Sequence, residues 1–352
     1  MVSRIGRLQK LLGRENLGGL VVSGLTNIRY LCGYTGSNGM MVVTRNRARF
    51  YTDFRYQEQM KKEVRGCTRQ VLKRDLYHDF PVKDVRGIRR LGVESTNLTL
   101  HRFRLLRRRL KRVRLVPSND LVLRLRRTKE PAEVALMKRA QQVTDRLFRR
   151  LLDLVKPGVT ERDLALEIEI EFRRQAEPAF VPIVASGPNA AQPHARYSDR
   201  RLRPGDVITF DLGCRWHGYC SDMTRTVFLD KAPARLRAVY HHVLAAQERA
   251  LATIRPGVAG KWVDAAAREY LDRVGLGKFF GHGLGHGVGL EVHELPNLSP
   301  NSKDILEPGD VVTVEPGVYL PGLGGVRIED MVVVTKTGCA NLTRSPKRLW
   351  EL

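Results

Sequence analysis

The chain is short of cysteine and of long apolar runs, and each shortage excludes something. Its five cysteines (Cys32, Cys67, Cys214, Cys220, Cys339) are odd in number and form no C-x-x-C pair. This argues against a thiolate metal site or a disulfide framework, and for reduced thiols in a cytoplasm. No stretch approaches the ~20 apolar residues that a membrane span needs. The basic start Met1-Val2-Ser3-Arg4-Ile5-Gly6-Arg7 is followed by neither an apolar signal core nor a small-residue cleavage site. No membrane partner is therefore expected. Acids are scarce as well: 37 Asp and Glu face 61 Lys and Arg, a formal charge of +24. Such an excess raises the question of nucleic acid. No zinc finger or RNP-like aromatic strand accompanies it. In the densest basic run, 102–114, apolar residues recur at Phe103, Leu106, Leu110 and Val113. That spacing predicts an amphipathic helix with an arginine-rich, solvated face, so nucleic acid is not the expected partner.

What is present is a duplication. Pro204-Gly205-Asp206-Val207-Ile208-Thr209-Phe210-Asp211-Leu212-Gly213 returns as Pro308-Gly309-Asp310-Val311-Val312-Thr313-Val314-Glu315-Pro316-Gly317. Each copy is a turn, an apolar strand and then a carboxylate where a core residue belongs. A second strand with another acid follows each: Asp222 in the first copy, Glu329 in the second. Helical stretches ending in Lys156-Pro157-Gly158-Val159 and Arg255-Pro256-Gly257-Val258 precede the strands, each followed by a further amphipathic segment, 161–174 and 261–274. The unit helix, Pro-Gly turn, helix, strands thus occurs twice and predicts a pseudo-twofold domain with a site between its halves. The chain is expected to be α/β (α+β): an α/β domain over 1–125, then the duplicated domain over 126–352. A helix is expected to start near Thr128, Pro131 and Glu133.

Symmetric pairing about Trp216-His217 puts Asp211 directly opposite Asp222, and pairing about Gly322 puts Glu315 opposite Glu329. Opposed like charges on apolar strands destabilise a sheet. They persist by taking up protons or by binding cations. Shared protons would need only one pair and would leave the histidines unexplained. The segment 280–294 holds His282, His286 and His293 among alternating glycines, and His194 sits farther upstream. It is neither G-x-G-x-x-G nor H-E-x-x-H. Four carboxylates and an imidazole form a hard donor set that suits manganese, iron, cobalt or zinc. Four negative charges balance two divalent cations.

The set Asp211, Asp222, His286, Glu315 and Glu329 resembles the five metal ligands of the pita-bread metallopeptidases, the family of methionine aminopeptidase, aminopeptidase P, prolidase and creatinase. The surrounding residues are similar too: Ser221-Asp222-Met223-Thr224-Arg225-Thr226, Gly285-His286-Gly287-Val288-Gly289 and Val326-Arg327-Ile328-Glu329-Asp330. Asn27-Ile28-Arg29-Tyr30-Leu31, Thr35-Gly36-Ser37-Asn38-Gly39 and Thr52-Asp53-Phe54-Arg55-Tyr56 resemble a creatinase-type N-terminal domain. Methionine aminopeptidases usually lack that domain, and creatinase does not keep the ligand set. The resemblance therefore implies a peptidase acting before proline on proline-containing peptides, either an Xaa-Pro aminopeptidase or, as the alternative, a prolidase. A third reading is a catalytically silent binding protein associated with nucleic acid. The resemblance also implies two divalent metal ions, manganese first, with cobalt, zinc or iron as alternatives, and a homodimer. It puts Asp211 on one metal and His286 on the other, with Asp222 and Glu329 bridging. Glu315 would be ligand and general base, His293 and His194 would meet the substrate, His282 would line the site, and Arg327 would orient the carboxylates.

Overall fold

The computed structural model describes residues 3–118 and 121–352. Met1 and Val2 of the basic start lie outside the described residues. Two compact units divide the chain, 1–126 and 127–352.

The first unit is built from α1 (Arg4–Arg14), β1 (Gly19–Val22), α2 (Leu25–Cys32), β2 (Met40–Thr44), β3 (Ala48–Asp53), α3 (Gln57–Glu63), β4 (Thr68–Leu72), β5 (Arg90–Glu94), α4 (Leu100–Arg109), β6 (Arg114–Ser118) and α5 (Leu121–Arg127). Its strands form one mixed sheet in the order β4-β3-β2-β1-β5-β6. β1, β2, β3 and β5 are short apolar runs. In β4, Thr68, Arg69 and Gln70 carry no apolar alternation, and β6 replaces the end of the helix expected over 102–114. That helix ends at Arg109, with Leu110 as a non-helical C-cap; Leu106 and Leu110 of the expected stripe are buried, and Phe103 and Val113 half-buried. Glu94, buried at the end of β5, accepts from the Ser23 and Gly24 amides and from Asn27 Nδ2. These bonds tie β5 to the start of α2.

The second unit contains α6 (Pro131–Leu152), α7 (Glu161–Gln175), β7 (Glu177–Pro178), β8 (Ile183–Ser186), β9 (Val207–Leu212), β10 (Cys214–Trp216), β11 (Tyr219–Cys220), β12 (Met223–Phe228), α8 (Ala234–Thr253), α9 (Gly260–Arg273), β13 (Gly285–Gly287), β14 (Glu294–Leu298), β15 (Val311–Val314), β16 (Gly317–Leu320), β17 (Gly324–Arg327), β18 (Asp330–Val334) and β19 (Cys339–Asn341). The duplication is physical: two helices, a Pro-Gly turn between them and an antiparallel hairpin occur in each half. The four glycines of the repeated Pro-Gly pairs, Gly158, Gly205, Gly257 and Gly309, all have φ between 83° and 93°, a region open to glycine at little cost. The first long helix begins one turn of chain later than Thr128 suggests. Glu130 is its N-cap, with a reciprocal capping box to Glu133 and Pro131 in the first turn. Each half packs its own apolar cluster, around Phe148, Phe172 and Phe210 in the first and Val243, Val263 and Val314 in the second. The acids therefore project from hairpins whose other face is fixed by packing.

Candidate active site

The hairpin registers decide where the acids stand. In the second copy, Val314 pairs with Asp330 and Gly317 with Arg327, a single register centred on Gly322 that carries Glu315 opposite Glu329. In the first copy the expected pairing is off by one residue on each strand. The turn is His217-Gly218, both at positive φ (48° and 94°), as a two-residue hairpin turn requires. Thr224, not Asp222, therefore lies opposite Asp211. Asp222 stands two residues from Thr224, diagonal to Asp211 and on its face. Opposite Asp211, the hydroxyl of Thr224 donates to Glu329 Oε2 at 2.8 Å and accepts from Arg327 Nε at 3.0 Å. It links one hairpin to the other.

All five acid and imidazole candidates, together with His194, His282, His293 and Arg327, line one cavity of about 910 Å³. His286 Nε2 lies 3.2 Å from Glu315 Oε1 and 3.7 Å from Asp222 Oδ2. Its Nδ1 is 3.1 Å from the Gly287 carbonyl. A carbonyl can only accept, so Nδ1 carries the proton and Nε2 is turned to the carboxylates. Thr313 supports the same pair, donating to Glu315 Oε1 at 3.0 Å and accepting from the His286 amide at 3.1 Å. The glycines flanking His286 allow its strand to sit this deep: a Cβ on Gly285 would lie 2.1 Å from the Thr313 carbonyl oxygen, and one on Gly287 2.2 Å from that of Leu295.

A second chain of bonds holds the opposite wall. Arg327, buried, donates to Asp211 Oδ2 at 2.7 Å and to the Tyr319 hydroxyl at 2.9 Å. Tyr319 in turn faces His282 Nε2 at 2.9 Å, while His282 Nδ1 bonds the Gly283 carbonyl. His282 thus accepts from Tyr319 as a neutral imidazole, in keeping with burial that lowers its pKa. His194 and His293 are exposed into the cavity, and the ring of His293 sits 4.2 Å from that of His286. Thr224, Thr313 and Tyr319 were not picked out from sequence. Thr224 and Thr313 each stand two residues from a candidate acid, so strand alternation alone could have found them; Tyr319 carries no such signal.

Burial and mutual repulsion dominate the electrostatics. Burial, and then Glu329, Asp211 and Glu315, push Asp222 well above the usual carboxylate range. Burial and the charges of Glu315 and Asp211 do the same to Glu329. Burial also raises Asp211, against the pull of Arg327. Burial would raise Glu315 too, but its hydrogen bond to His286 and the charges of His286 and Arg327 bring it down to about 2. Burial alone would lower His286, yet Glu315 raises it. The site therefore holds more negative charge than its own cations balance. Asp211 Oδ1 is buried with no hydrogen-bond partner among the described residues, and side-chain donor atoms of Asp222, His286 and Glu329 lie within 4.8 Å of one another. An orphaned carboxylate oxygen beside a cluster of hard donors fits divalent cations.

The comparisons with known proteins agree with this geometry. Residues 135–336 match the model of Metallopeptidase family M24, and residues 4–128 that of the Creatinase/Prolidase N-terminal domain. The chain is 40% identical over 351 residues to the uncharacterized peptidase YqhT of Bacillus subtilis, covering 98% of this chain and 99% of that one. It superposes on the Xaa-Pro dipeptidase from Bacillus anthracis with a TM-score of 0.95 at 37% identity, over 99% of both chains. The X-Pro aminopeptidase from Thermotoga maritima gives 0.90 at 34% identity, over 98% of this chain and all of that one. With two hairpins of paired acids, an imidazole between them and this likeness over its whole length, the chain belongs to metallopeptidase family M24, a family of metal-dependent hydrolases, and here carries a creatinase-type N-terminal domain ahead of the M24 domain.

Proposed function

We propose that the chain is an Xaa-Pro aminopeptidase that releases the residue preceding proline from peptides longer than two residues. Asp211, Asp222, His286, Glu315 and Glu329 would hold two divalent ions, manganese first. The observation that carries this reading is the convergence of those five side chains with His194, His282 and His293 on one cavity. When bound, the ions would supply a water of lowered pKa and a positive centre for developing oxyanion charge. The protein's own groups do the rest. Glu315, ionised at neutral pH, takes a proton from the attacking water and passes it to the prolyl nitrogen. That nitrogen carries no hydrogen in the peptide and cannot leave without one. His293, whose pKa is lowered by partial screening in the cavity wall and by its neighbour His286, offers an N–H to the substrate carbonyl. His194, which lines the same cavity, holds the peptide beyond it. Arg327 keeps Asp211 and, through Thr224, Glu329 in fixed orientation.

The cavity volume supports the longer substrate, since about 910 Å³ is near the top of the ~300–1,000 Å³ range of ligand pockets, and a dipeptide is a small ligand. One observation favours the second reading, a prolidase. Arg196 lines the cavity, is exposed, and has no ion pair among the described residues. Arg162 is held by Asp199 and Arg327 by Asp211. An uncommitted guanidinium suits the free carboxylate of an Xaa-Pro dipeptide.

Hydrolysis of an Xaa-Pro dipeptide and an Xaa-Pro-Yaa tripeptide, measured side by side with manganese, separates the two. The expected result is tripeptide cleavage, with kcat lowered ~10²–10⁴-fold in Glu315→Gln. Arg196→Gln is expected to leave the tripeptide KM within about twofold, because a rim group removed from the reacting bond acts only on uniform binding. Dipeptide cleavage alone, with a dipeptide KM raised about tenfold or more by Arg196→Gln, would establish the prolidase instead. No cleavage with manganese, cobalt or zinc would sink both.

A further inference from the structure

The charge of the chain is not spread over it. Residues 1–126 hold 29 Lys and Arg against 9 Asp and Glu, a net of +20; residues 127–352 hold 32 against 28, a net of +4. A general preference for arginine would load both units alike. The excess therefore belongs to the first unit.

Within that unit the topology gathers it at one end of the sheet. β5 and β6 are parallel neighbours, with Arg90 beside Arg114, and α4 runs back between them. The C-terminal turn of α4, with Arg107, Arg108 and Arg109, must therefore lie at the end where both strands begin. Lys111 and Arg112 follow directly, and the Arg114 amide donates to the Arg89 carbonyl at 2.8 Å. Arg86 and Arg89 precede β5. The side chains of Arg107, Arg108 and Arg109, of Lys111, Arg112 and Arg114, and of Arg86 and Arg89 are all exposed, and none has an ion pair among the described residues. The acids on adjoining segments are already engaged: Asp84 with Arg49 and Glu15 with Arg124. The negative end of the α4 dipole favours cations in its last turn, which accounts for three arginines and not for the rest.

We propose that this end of the N-terminal unit is a docking surface for the phosphodiester backbone of nucleic acid, read without regard to base sequence. Guanidinium groups bind phosphate oxygens in bidentate pairs, and seven of these eight cations are arginine. A membrane surface fits less well, because insertion needs an apolar face beside the charge. The apolar face of α4 is turned inward through Leu106 and Leu110, and its one largely exposed apolar side chain, Leu100 (64%), is at the opposite end of the helix. No exposed aromatic lies in 104–114 to stack on bases, so recognition is of the backbone. None of these eight residues lines the cavity, and the proposal does not depend on the peptidase reading.

The test is fluorescence anisotropy of the full chain with 30-base-pair DNA and RNA duplexes across a salt series. The quadruple variant Arg107→Gln, Arg108→Gln, Lys111→Gln, Arg112→Gln is compared with a control set on the second unit, Lys231→Gln, Arg255→Gln, Lys303→Gln, Lys336→Gln. Binding is expected at 50 mM salt. The patch variant should bind at least about tenfold more weakly, with a log K against log salt slope shallower by about 3–4, since each phosphate no longer neutralised lowers the slope by ~0.9. Its melting temperature and peptidase activity should be unchanged, and the control set should bind as the unaltered chain does. The two half-variants, Arg107/Arg108 and Lys111/Arg112, should each give about half the loss in slope, which keeps the test intact if the quadruple variant folds poorly. No binding at 50 mM salt, equal weakening by the control set, or binding to phosphatidylserine vesicles but to neither duplex would overturn the proposal.

Discussion

Asp222→Asn is expected to abolish hydrolysis and, in metal-free protein, to raise the melting temperature. The two effects have one cause. Asp222 is buried (4% exposed), and burial together with Glu329, Asp211 and Glu315 raises its pKa well above the ordinary value. An acid whose folded-state pKa is raised binds its proton more tightly in the folded chain than in the unfolded one. Stability therefore falls as pH climbs from the ordinary carboxylate value, near 3.8, toward the raised one. At neutral pH the metal-free fold bears that cost; a neutral amide of the same shape removes it, and Glu329 keeps a smaller share. Glu315 runs the other way. Held at about 2, it contributes stability above its ordinary 4.5 that is lost as pH falls from there through about 2. Metal-free protein should thus grow more stable on going from pH 7.5 to pH 5, and Asp222→Asn should flatten that rise. Cations reverse the order of the two proteins: ligand binding to the folded state at a thousand times its Kd adds ~4.1 kcal/mol, and the variant gains less of it. Thermal scans at both pH values, with chelator and with manganese, read all four cases. A variant that melts below the unaltered protein in chelator would mean that the Asp222 carboxylate is not under electrostatic strain.

The candidate site is more legible in the sequence than the sheet around it, and the reason is physical. A buried carboxylate on an apolar strand is costly, so Asp211, Asp222, Glu315 and Glu329 stand out one at a time, and duplication doubles the signal. Pro-Gly turns are equally visible because only glycine adopts their positive φ at little cost. Register was half legible. Gly322 marks the centre of the second hairpin. In the first hairpin the glycine is the second residue of the turn, and taking it as a neighbour of the turn moves the expected partner of Asp211 by two positions, from Thr224 to Asp222. β4 and β6 were hidden because edge strands need no apolar alternation; Arg69 and Arg114 read as loop or helix surface. The groups that orient the candidate acids and histidines, Thr224, Thr313 and Tyr319, are ordinary residues in a sequence. What they do depends on which side chains meet across the two hairpins. The concentration of charge in 1–126 was in the sequence throughout, but composition does not say that Arg89 and Arg114 are neighbours.

The largest loss of stability is expected from Arg225→Met. Arg225 is 1% exposed and forms an ion pair with Asp330, fully buried, at 2.7 Å. The same guanidinium donates to the carbonyls of Thr224 and Ser345 and to that of Glu329. It joins both hairpins and the C-terminal segment from within. A methionine fills much of the volume but leaves the Ser345 and Glu329 carbonyls without this donor, the Thr224 carbonyl with the Glu329 amide alone, and Asp330 with only Lys347 and Asn341 as partners. Removing one member of a buried pair costs about 3–5 kcal/mol, and Lys347 keeps this case near the lower figure. For a unit of this size that is a drop of roughly 6–12 °C in melting temperature. Adding Asp330→Asn should restore part of it, since the uncompensated charge is then gone, and the deficit left in the double variant measures the carbonyl bonds. The functional effect follows from the bond to Glu329. A ligand whose backbone is no longer pinned should bind metal about 10–100-fold more weakly, and excess manganese should restore most of kcat in the single variant at a temperature where it remains folded. If Arg225→Met melts within about 2 °C of the unaltered protein, water has taken over the role of the guanidinium and the pair is not what holds the two hairpins in register.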